Sequence, residues 1–177
     1  MIRTLCTVGI FLTLPLGMRG QAAKANPVSD TAREILRDTS KTIIAAAEQM
    51  PADKYGFHPT DGQMSFGKII AHVTEASNQV CAMISDTPTP PTKVTDADPK
   101  ASLVAAIKAS FDYCTRSLAG LRDSKMGDQI TFFDGEKVVR ARAVFELTND
   151  LNDHYAQLAG YMRGVGLLPP TAQPQGK

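Results

Sequence analysis

The sequence predicts an all-α fold: a four-helix bundle with a long crossover between the second and third helices and a small β-hairpin before the fourth. Three observations lead there. Four stretches repeat apolar residues at three- and four-residue steps, the period of one helix face. A proline-rich stretch, SDTPTPPTKVTDADPK (85–100), has no periodicity and is too long for a tight helical hairpin. Two short β-prone runs flank Asp134-Gly135, a strong local hairpin signal.

The chain begins with a segment of another kind. Arg3 precedes the apolar run LCTVGIFLTLPLGM, and Ala23-Lys24-Ala25 fits a small-residue cleavage site. The run is short for a bilayer span. Residues 1–25 are therefore expected to be a signal peptide, with residues 26–177 forming the exported domain, periplasmic or secreted and without a membrane anchor. The segment carries Arg3, Arg19 and Lys24 and no acid, so its loss takes the chain from a net charge of +1 to −2. That balance offers no basic face and argues against a nucleic-acid partner. Cys6 leaves with the segment, and Cys81 and Cys114 remain as an even pair that can bond in an oxidising compartment.

The first helix is expected over residues 29–50, with Ser29 and Asp30 as caps and Pro51 as its stop. Residues 51–67 carry turn signals at Pro51, Pro59 and Asp61-Gly62. The second helix follows Ser65, with Phe66, Ile69, Ile70, Val73, Val80, Met83 and Ile84 as its stripe. The crossover leaves the third helix, about 101–121, free to run parallel to the second. Its Leu103, Ile107, Phe111, Cys114, Leu118 and Leu121 form a bundle seam. Residues 130–139 form the hairpin, which must pack on the bundle because two strands alone are marginal. The fourth helix spans about 140–163, ends near Gly164 and Gly166, and cannot continue through Pro169-Pro170. A parallel second and third helix would bring Cys81 and Cys114 to similar height, so a disulfide is expected if those helices are neighbours.

Candidate chemistry sits on the second and fourth helices. His154 lies on the inner face of the fourth, and Asp150 stands one turn earlier on its flank. His72 lies at the rim of the second helix's buried face. Each has an ordinary explanation: a rim histidine is commonly solvated, and an Asp–His pair four apart is commonly a local helix contact. His58 reads as a loop residue, and Asp153 points away from His154.

The segments SFGKIIAHVTEASNQVCAMI and NDLNDHYAQLAGYMRGVGLLPP resemble the second and last helices of the DinB/YfiT-like metalloenzyme family. The resemblance extends over most of the chain beyond residue 25, including the HPTDGQMSFG entry and the proline-rich crossover. It implies a divalent metal ion, Zn, Ni, Fe or Mn, held by His72, Asp150 and His154, with a small-molecule substrate of unknown identity. The family usually has His where this chain has Asp150. A carboxylate there is a harder donor, which would move metal preference toward Fe or Mn. The implied chemistry is metal-dependent hydrolysis or thiol-type transfer. The competing reading is a non-catalytic structural or interaction bundle that has lost tight metal binding, and a homodimer through bundle faces is a further expectation.

Overall fold

The computed structural model describes residues 25–174 except Thr92, so the expected signal peptide lies outside the described residues up to Lys24. Four helices, α1 (Pro27–Gln49), α2 (Phe66–Ser85), α3 (Lys100–Leu118) and α4 (Arg140–Gly164), build the molecule, with strands β1 (Gln129–Thr131) and β2 (Lys137–Val139) before the last helix. This is the predicted bundle. No described helix is long and apolar enough to cross a membrane.

Contacts along the helices fix their directions. On α2 and α3, Ser110 Oγ donates to the Thr74 carbonyl and Cys114 Sγ reaches the Ser77 carbonyl, so both chains advance together and the pair is parallel. Between α2 and α4 the order reverses: Arg140 donates to the Ile84 carbonyl, while Tyr161 Oη donates to the Met64 carbonyl. The α1–α3 pair is also antiparallel, with Arg33 at Leu118 and Lys100 at Glu48. The bundle thus runs up, down, down, up. The long crossover exists to return the chain between two parallel helices, as the proline-rich composition suggested.

The disulfide forms: Cys81 and Cys114 are bonded, with Cα atoms 5.3 Å apart, and both side chains are fully buried. Around it the predicted stripes close into one core. Leu36, Ile43, Phe66, Ile69, Ile70, Leu103, Ile107, Leu118, Leu151 and Leu158 are all essentially inaccessible to solvent.

The helix ends depart from the sequence reading in an instructive way. α1 starts two residues earlier than expected, at Pro27, whose fixed φ suits a first helical position. Ser29 and Asp30 are inside the helix, and no local side chain caps it. The cap comes instead from Asp123, beyond α3. Its carboxylate accepts from the Val28 and Ser29 backbone N–H groups at 3.0 and 2.7 Å and from Ser29 Oγ at 2.6 Å. These bonds, after the opposing effect of partial desolvation, hold the Asp123 carboxyl below its ordinary value. α3 ends three residues earlier than expected, at Leu118, because Arg33 draws the Leu118 and Leu121 carbonyls to one guanidinium nitrogen at 3.1 and 2.9 Å. α2 begins as predicted, with Ser65 Oγ accepting from the Lys68 N–H at 3.1 Å.

At the C-terminus of α1, the Ala47 carbonyl would normally accept from residue 51, but Pro51 has no N–H. Tyr55 Oη donates to that carbonyl at 2.6 Å, and Lys100 Nζ bonds the Glu48 and Met50 carbonyls at 2.7 Å each. Burial, aided by the Glu48 charge, raises the Tyr55 phenol and keeps it a donor. Tyr55→Phe should therefore leave one buried acceptor unmade and cost about 1–2 kcal/mol. For a chain of this size that is about 3–6 °C in Tm, measurable by thermal unfolding. An unchanged Tm would show that another donor replaces the phenol.

The hairpin packs on the bundle as required. Register pairs Gln129 with Val139, Ile130 with Val138 and Thr131 with Lys137. Ile130 and Val138 face inward and are nearly fully buried. Asp134 and Gly135 both adopt positive φ, 55° and 78°, which is the backbone this turn needs and the reason for the Asp-Gly dipeptide.

Candidate metal centre

α4 presents Asp150 and His154 one turn apart on one flank, and antiparallel α2 brings His72 against them. The His72 and His154 rings are 4.9 Å apart between centroids and nearly perpendicular, at 75°. One donor atom from each of His72, Asp150 and His154 lies within 4.8 Å of the other two. The three differ in exposure. His154 is buried, Asp150 is half-buried and His72 is exposed. The cluster thus has a buried root and an open side.

The other candidates fall elsewhere. His58 Nδ1 makes a 2.9 Å hydrogen bond with the Thr60 carbonyl inside its own loop. The Asp153 carboxylate accepts from Gln157 Nε2 at 2.8 Å along the outer face of α4.

Two imidazoles and one carboxylate are a donor set for Zn²⁺ and similar ions. The Asp150–His154 spacing also fits. His154 Nε2 makes a long hydrogen-bond contact of 3.4 Å with Asp150 Oδ1. With metal bonds of about 2.0–2.2 Å, adjacent tetrahedral ligands stand roughly 3.3–3.5 Å apart. A neutral His154 that offers Nε2 carries its proton on Nδ1. That atom is buried and has no hydrogen-bond partner among the described residues. The ring therefore lacks the acceptor that commonly orients a metal-bound imidazole, and core packing must orient it instead.

The charge balance favours a cation here. Asp150, by hydrogen bonding, raises the His154 pKa; burial opposes this, and the charges of Asp150 and Asp153 and the Gln157 side chain add to the rise. In the metal-free protein, the Asp150 interaction with protonated His154 contributes stability in full below about pH 6.5, the unfolded value, and loses it as pH climbs through the raised folded value. A metal ion acts in the opposite sense, since it needs the deprotonated ring.

Beside the cluster, a cleft of about 290 Å³ lies between α2, α4 and the hairpin, with His72 and Asp150 in its wall. Phe132, Phe133 and Glu146 also line it. The hairpin's sequence pattern by itself assigns these residues no part in the site. The adjacent Phe132-Phe133 pair beside a turn was the available signal, since Phe133 is 39% exposed.

A family model described as the DinB superfamily matches residues 35–158, a span that contains all three residues of the cluster. Among solved structures, a DinB-like protein of Bacillus subtilis superposes with a TM-score of 0.66 at 18% identity, covering 82% of this chain and 99% of that one. A DinB-like protein of Bacillus cereus gives a TM-score of 0.67 at 14% identity, covering 80% and 95%. At these identities the likeness speaks to the fold. No curated protein sequence matches the chain.

Proposed function

This chain belongs to the DinB superfamily, and we propose that it is an exported protein that binds one divalent metal ion through His72, Asp150 and His154 and serves as a metal-dependent hydrolase or transferase. The observation that carries the reading is the convergence of those three donors from two helices within 4.8 Å. A bound ion would supply Lewis acidity beside the cleft. His154 forms the buried anchor, Asp150 lowers the charge of the site by one, and exposed His72 leaves the open side free for a substrate. The test is the metal content of the protein purified without added metal or a His tag. Wild type should hold about one ion per chain, and protein that takes up no divalent ion at micromolar concentration would overturn the reading.

Export is supported by the arrangement of Arg3, the apolar run and Ala23-Lys24-Ala25, and by the buried Cys81–Cys114 bond, since such bonds persist in oxidising compartments. N-terminal sequencing of the protein from a bacterial periplasm should begin near Asn26. Soluble protein that retains Met1 would exclude processing.

A further inference from the structure

We infer that the cleft between α2, α4 and the hairpin is the binding subsite for the body of the ligand whose head would sit on the metal, and that it selects a small aromatic body that carries no negative charge. The inference rests on the metal-binding reading above and adds to it a substrate class and the residues that choose it. Three observations carry it. The cleft is continuous with the cluster, because His72 and Asp150 belong to both. Its volume of about 290 Å³ stands at the lower limit of small-molecule sites, so it takes one ring and little more. Its remaining surface comes from Glu146, from Ala76, Val80 and Leu147, and from two phenylalanines set edge to face, with centroids 4.7 Å apart at 63°.

The wall is built to hold its shape. Ile130 and Val138 anchor the hairpin in the core, and the Phe132 N–H donates to the Glu136 carbonyl at 2.8 Å across the turn. Arg142 on α4 binds Glu136 at 2.8 Å and lies 3.6 Å from Glu146, tying the turn to the helix that carries Asp150 and His154. Phe133, with 39% of its surface exposed, has no core role that accounts for its position. A bound ring would gain the offset or edge contacts that aromatic pairs prefer. Glu146 and Asp150, both in the lining, oppose an anionic body.

The test uses two metal-binding probes with the same head. Acetohydroxamate and benzohydroxamate are titrated calorimetrically into the zinc-loaded full chain. Benzohydroxamate should bind about tenfold more tightly. Phe133→Ala should erase about five- to tenfold of its affinity and leave acetohydroxamate unchanged. Ala76→Phe, which fills the cleft from a partly exposed position on α2, should abolish the preference while zinc binding persists. Zinc binding with equal affinity for both probes, or a preference that survives both substitutions, overturns the subsite and leaves the metal reading standing. Failure of the wild type to bind zinc overturns both.

Discussion

His72→Ala and His154→Ala are each expected to cost at least a hundredfold in metal affinity, emptying the site during purification, whereas wild type retains about one divalent ion per chain. With three protein donors, removing one leaves two, and two protein ligands cannot hold an ion against dilution. His72→Ala is the cleaner variant, because His72 is exposed and its loss leaves no cavity. His154 is only 6% exposed, so its truncation also opens a hole beside Leu151 and Leu158 and needs a circular-dichroism control. Lowering the pH should weaken wild-type binding about tenfold per unit once it falls below the raised His154 value, as the proton displaces the metal. Stoichiometric metal in both histidine variants would place the ion elsewhere and sink the assignment. Asp150→His, which restores the donor usual in the family, should keep the stoichiometry and shift preference away from Fe and Mn.

The parts of this molecule that were legible in the sequence are those governed by local periodicity. The stripes of α2 and α3 repeat every three to four residues, and the structure buries them except Met83 and Leu121, which are only partly covered. The Asp134-Gly135 turn and the start of α2 after Ser65 are also local chemistry, and both occur where expected, Ser65 capping the helix. The pairing of Asp150 with His154 follows from one helical turn. His72 is different in kind. No spacing on α2 aims it at α4, and family resemblance was needed to join it to the other two before the antiparallel packing of α2 and α4 was known.

What stayed hidden depends on contacts between segments distant in sequence. Ser29 and Asp30 looked like caps for α1 because they have the correct side chains in the correct place. Asp123, more than ninety residues away, occupies that role and moves the helix start to Pro27. Arg33 shortens α3 by the same type of long-range bond. The cleft wall at Phe132 and Phe133 could not be read either, since only the docking of the hairpin on α2 and α4 turns an exposed aromatic pair into one side of a pocket.

Removing the Cys81–Cys114 bond should lower unfolding stability by about 3–4 kcal/mol without changing the fold. The bond spans 33 residues, and closing a loop of that length removes conformational entropy from the unfolded chain on about that scale. The loop it closes contains the end of α2, the crossover and most of α3, and the crossover's prolines and turns bury little apolar surface, so that stretch has few other contacts to restrain it. In the native state the two sulfurs sit where α2 and α3 are already held by the Ser110–Thr74 bond and by Ile70, Val73 and Ile107 in the common core. The reduced protein therefore should retain helicity and the His72–Asp150–His154 geometry while its denaturation midpoint falls. The comparison to make is urea unfolding of oxidised protein against the Cys81→Ala/Cys114→Ala variant, with metal removed from both so that ligand binding does not mask the difference. The m-value should change only through the compactness of the unfolded chain, rising when the cross-link is absent. Equal midpoints would show that the crossover is as restrained without the bond as with it. Two alkylated cysteines on unreduced, denatured wild type would show that the bond does not form.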